Sequence, residues 1–122
     1  MITDKDQAVA YIILSAIESN PVKMFSWGFE VEKVVEGGLL FIVHGLKHKG
    51  KVMVTLNENT GLFYIQIIGN KNLVKYSIED VRLEELVNVL DLQIERVDNY
   101  GEVVANMYGL PSPTDTKNKE SK

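Results

Sequence analysis

Between about residue 25 and residue 76, apolar side chains recur at every second position, in short runs separated by turn residues. Period 2 sends successive side chains to opposite faces, so each run is expected to be a strand with one face buried. Phe25, Trp27, Phe29 and Val31 alternate with Ser26, Gly28, Glu30 and Glu32 in the first run. Leu39 to Val43 is continuously apolar and reads as a central strand. In the third run Val52, Val54 and Leu56 alternate with Met53, Thr55 and Asn57, and in the fourth Phe63, Ile65 and Ile67 share one face. Gly37-Gly38, Asn59-Thr60-Gly61 and Gly69 to Asn72 carry turn chemistry, and a loop of Gly, Lys and His spans Gly45 to Gly50. Strands this close in sequence pair with their neighbours, which predicts a four-stranded antiparallel meander, with Leu73 to Tyr76 extending it briefly.

Helical spacing brackets these runs. Thr3 is suited to an N-cap, with Asp4 and Asp6 in the first turn to meet the helix dipole. Val9, Ile12, Ile13, Ala16 and Ile17 form one stripe, which Asn20-Pro21 ends. A second stripe, Leu83, Leu86, Val87, Leu90, Ile94 and Val97, predicts a helix from about Arg82 to Asp98. The expected architecture is α+β, in the order α-β-β-β-β-α, with the two helices covering one face of the sheet. Residues 1–108 read as one domain, within which 101–108 could prolong the helix or form a separate piece. The stretch 109–122 has too few apolar side chains to offset its ordering entropy and is expected to be disordered.

The sequence carries 122 residues, a net charge of −4 and no cysteine, which excludes disulfides, thiolate metal sites and cysteine nucleophiles. Its first twenty residues place acids before an interrupted apolar stretch, unlike a signal peptide or a membrane span, so the expected address is the cytoplasm. No GxSxG, P-loop, GxGxxG or HExxH pattern occurs, and no catalytic residue or cofactor is expected. The carboxylate pairs Glu84-Glu85 and Glu30/Glu32 read as solvated surface.

Both histidines, His44 and His48, lie in the segment HGLKHKGK, without a third ligand to complete a metal site. Lys47, Lys49 and Lys51 make that segment locally basic, whereas the second helix is acidic. A lysine-rich turn can simply keep strand edges from pairing with other chains. It can also meet an acidic partner, a nucleic-acid backbone or the acidic helix of another copy. Phe25, Trp27 and Phe29 read as core residues, the alternative being a stacking platform for single-stranded nucleic acid.

The strings Ser26-Trp27-Gly28, Gly38-Leu39-Leu40-Phe41, His44-Gly45, His48-Lys49-Gly50 and Leu62-Phe63, with LEELVNVLD at residues 83–91, resemble a pattern of small uncharacterised bacterial proteins. The resemblance spans residues 25–95 and implies a compact bacterial domain, with no function or catalytic residue to carry over.

The expected function is that of a non-enzymatic interaction module that binds a protein partner or a second copy of itself. A sheet with helices on one side leaves Met53, Leu62 and Tyr64 short of cover, and dimerisation is a common remedy. His44, Lys47, His48, Lys49, Lys51, Met53 and Tyr64 are the candidate contact residues. The alternative is a nucleic-acid-associated protein using Lys47, Lys49 and Lys51 with Lys71 and Lys75, and the third reading is small-ligand binding. No membrane association is expected.

Overall fold

The structure, a computed structural model, describes residues 1–95. Its first helix, α1 (Asp4–Glu18), starts as its cap predicts. The Thr3 Oγ1 accepts from the Asp6 amide at 3.2 Å, and the Asp6 carboxylate accepts from the Thr3 amide at 2.8 Å, forming a reciprocal capping box.

Beyond Pro21 the structure departs from the expected strand. Residues Pro21–Trp27 form a short helix, α2. Proline ends α1, but it also suits the first turn of a new helix, where its missing N–H would have had no partner. Gly28 ends α2 in the left-handed conformation at φ 64°, its amide donating back to Met24 and Phe25, while Phe29 N–H reaches the Met24 carbonyl at 3.3 Å. The alternation of Phe25 and Trp27 therefore belongs to a helix. Residues two apart on a helix point well away from each other, so Trp27 is 0% exposed and Phe25 is 83% exposed.

Among the described residues the sheet has five strands, not four: β1 (Glu30–Val35), β2 (Gly38–His44), β3 (Lys49–Asn57), β4 (Leu62–Ile68) and β5 (Val74–Val81). They lie in sequence order, each antiparallel to the next. The brief extension expected at Leu73 to Tyr76 is a full edge strand. Its hydrophobic period is hidden because the strand is mostly exposed and slips register against β4 in two places. A 3₁₀ turn (Leu83–Glu85) then leads into α3 (Leu86–Ile94), so the helix proper starts later than Arg82. The expected extension to Asp98, residues 101–108 and the disordered tail lie outside the described residues.

One cluster forms the core. Val9, Ala10, Ile13 and Ile17 of α1, Trp27 of α2 and Leu86, Val87, Leu90 and Ile94 of α3 pack on Leu39, Phe41, Val43, Val52, Val54, Phe63, Ile65 and Ile67 of the sheet. Opposed pairs such as Leu39–Val54, Val54–Ile65 and Val52–Ile67 keep this apolar set on one face from strand to strand. No helix among the described residues is long and apolar enough to cross a membrane.

Candidate interaction surfaces

All three helices bury their apolar residues in that one cluster, which leaves the other face of the sheet without a helix among the described residues. Register places Lys33, Leu40, Met53, Gln66 and Ser77 in one row across this face. Glu30, Ile42, Lys51 and Ile68 form the next row, and Thr55 pairs with Tyr64 on its other side. Leu40 and Ile68 are buried, while Ile42, Met53 and Tyr64 are half-buried, so an apolar centre is bounded by polar side chains. Lys51 pairs with Glu32 at 3.2 Å. Glu30 and Glu32 lie beside Lys33 and Lys51 on one side of this face, while Glu79 and Asp80 line a pocket with Tyr64 on the other.

Both edges of the sheet are interrupted. The β1–β2 register shifts between Val31 and Lys33, and β5 shifts against β4 near each end, with Asp80 at φ 59° in the second irregularity. Bulges and charged side chains at an edge oppose the addition of another strand. The face is therefore more available to a partner than the edges are.

The basic β2–β3 loop (residues 45–48) has a structural task. The Lys47 and His48 amides both donate to the Ile94 carbonyl oxygen, at 2.9 and 3.1 Å. The Lys47 ammonium donates to the Leu92 carbonyl at 2.7 Å, and the Leu46 amide to Glu95 Oε1 at 3.0 Å. The loop thus satisfies carbonyls at the C-terminus of α3 and brings a cation to the negative end of its dipole. The basic segment and the acidic helix meet within one chain.

His48 is 2% exposed. An ammonium can only donate, so the contact from Lys75 Nζ to His48 Nδ1 at 3.2 Å makes Nδ1 the acceptor. The ring proton then sits on Nε2, which donates to the Lys51 carbonyl at 3.1 Å. Burial pushes the His48 pKa below its ordinary 6.5, and the Lys75 charge pushes the same way against the opposing pull of the Lys51 and Ile68 carbonyls. His48 is a neutral internal strut. His44, by contrast, is exposed at the end of β2, with its ring beside Gly28. Among the described residues no three His, Cys, Asp or Glu side chains are placed to hold a metal.

Of the other candidates, Lys49 is exposed, and Met53 and Tyr64 lie on the sheet face that carries no helix among the described residues. Two sites escaped sequence reasoning. Trp27 Nε1 donates to the buried Asp91 at 2.9 Å, at the base of a cleft of about 480 Å³ lined by Ser19, Asn20, Lys23 and Ser26. Asp6 Oδ1 accepts from the Gly37 amide at 2.8 Å, tying the start of α1 to the β1–β2 turn. Both join residues far apart in sequence, where no local pattern records the partner. Compared with known protein families, curated proteins and solved structures, the chain matches none.

Proposed function

We propose that this protein is a non-enzymatic interaction module that associates with a second copy of itself through the helix-free face of its sheet. The apolar centre formed by Leu40, Ile42, Met53, Tyr64 and Ile68 carries this reading. Ile42, Met53 and Tyr64 keep part of their surface in water, which is unfavourable, and pairing two sheets removes it. Lys33 and Lys51 beside Glu30 and Glu32 offset part of the repulsion that a net charge of −4 imposes between two copies. A two-fold pairing also closes on itself and stops at the dimer.

The nucleic-acid reading is less well supported. Of the lysines it draws on, Lys47 is engaged with the Leu92 carbonyl and Lys51 with Glu32.

Sedimentation equilibrium tests the proposal. The wild-type chain is expected to dimerise, and Met53→Glu to weaken the dimer by about tenfold or more, since a charge placed in an interface centre loses its hydration. Thermal unfolding should show that the Met53→Glu monomer remains folded, because Met53 is only half-buried. A wild-type chain that stays monomeric at every concentration, or a dimer indifferent to Met53→Glu, overturns the proposal.

A further inference from the structure

From His44 to Ile78 the chain holds a single acidic residue, Glu58, and five lysines, at positions 47, 49, 51, 71 and 75. The meander sorts them. In an antiparallel sheet the β2–β3 and β4–β5 connections emerge at one end and the β1–β2 and β3–β4 turns at the other. The lysines lie in or beside the first pair of connections, while Glu58 lies in the β3–β4 turn, paired with Lys5 at 2.7 Å. Glu36 sits in the β1–β2 turn and Glu79 and Asp80 near the end of β5, at the opposite end of the sheet, while of the acids at the basic end Glu32 is paired with Lys51 and Glu95 accepts from the Leu46 amide.

Between the two basic connections lies a cleft of about 400 Å³, lined by Lys49, Gly69, Asn70, Leu73, Val74 and Lys75. Among the described residues no carboxylate lines it. Lys71 and Asn72 form the adjoining turn, both at positive φ. The ammonium of Lys75 is held by the neutral His48, which fixes its position, and it has no acidic partner among the described residues. Lys49 has no acidic partner among the described residues. Two ammoniums and an amide on a concave surface suit a small oxyanion, and the exposed Leu73 and Val74 beside them suit an apolar group attached to it.

We infer that this cleft binds the phosphate group of a small organic phosphomonoester, with Lys49 and Lys75 on the phosphate and Leu73 and Val74 under its organic part. The site rests on residues other than the Met53 row, but Val74 pairs with Ile68 at the margin of the proposed dimer face, so the titration is repeated on the Met53→Glu chain to separate the two readings. Three lysines around one cleft make too short a track for a nucleic-acid strand, which is read along several successive phosphates.

Amide-resolved NMR titration of the full chain with phenyl phosphate, and with inorganic phosphate, tests this against sodium chloride at matched ionic strength. Saturable shifts are expected at Gly69, Asn70 and Lys75, with phenyl phosphate binding more tightly than inorganic phosphate. Lys49→Gln and Lys75→Gln should each weaken binding by about fivefold, the effect of one exposed ion pair. Lys5→Gln, at the acidic end, should leave it unchanged. Because Lys75→Gln also removes the His48 contact, Lys49→Gln is the decisive variant. Shifts that sodium chloride reproduces, or a Lys49→Gln chain that binds like wild type, overturn the proposal. A single-stranded oligonucleotide that binds more tightly than phenyl phosphate and shifts residues well beyond the cleft also overturns it, in favour of a polymer.

Discussion

Trp27 and Phe25 are the same kind of residue two positions apart, and the fold treats them oppositely. Trp27 fills the core beneath α1 and α3 and donates its indole N–H to Asp91, whereas Phe25 faces outward from α2. Trp27→Phe removes that donor to a buried carboxylate and leaves a gap beside it. It should cost about 2 kcal/mol in urea unfolding, whereas Phe25→Ser should stay within about 0.5 kcal/mol. Equal losses would contradict the helical assignment of residues 21–27. The sequence marks both residues as apolar, but only the helix period separates buried from exposed. That period was masked because a seven-residue helix has too few turns to display it.

At the scale of elements, the docking of the β2–β3 loop onto α3 depends on the absence of a side chain at Gly45. A Cβ there would run into the Ile94 carbonyl oxygen and lie 2.6 Å from Ile94 Cγ2. Gly45→Ala must therefore push the loop away from the helix end and lengthen the bonds that Lys47 and His48 donate to it. A loss of more than about 2 kcal/mol is expected, measured by chemical denaturation, with weaker amide-exchange protection at Lys47 and His48. A neutral outcome would show that this contact adds nothing to the packing of α3. The spacing of Leu86, Val87, Leu90 and Ile94 made α3 legible, and the Gly-Lys-His composition marked a loop. That the loop caps the helix was not legible, since the two are separated by β3, β4 and β5.

At the scale of the whole molecule, two titrating groups tie distant parts of the fold together, and each sets a pH window. His48 has a lowered pKa because burial disfavours its charged form. The unfolded chain therefore binds the proton more readily, and stability falls as pH drops below 6.5. Asp6 has a pKa below 3.8, first because the Thr3 amide donates to it and then because the Gly37 amide does. Its contribution is complete above 3.8 and is lost as pH falls below that value. Denaturant midpoints measured against pH should thus decline in two steps. His48→Gln should remove the upper step alone, and Asp6→Asn the lower one. A wild-type profile flat between pH 7 and pH 5 would mean that His48 is not held neutral by burial.

The sequence by itself determined the antiparallel run of β2, β3 and β4, the cap of α1 and the apolar faces of β2, β3, β4 and α3. Each is written in side-chain periods and turn residues within a few positions of one another, and burial of one face enforces them. The tertiary structure decided the rest. It settled α2 as a helix by burying Trp27 in the shared core, where the indole donates to Asp91 of α3. It made β5 a full strand because pairing with β4 supplies the hydrogen bonds that an exposed, bulged edge does not advertise in its hydrophobic pattern. It also gathered lysines from the β2–β3 and β4–β5 connections at one end of the sheet and turned His48 into a buried strut. Those groupings exist only once register brings residues far apart in the chain within a few ångströms, and electrostatics and hydrogen bonding act across that distance.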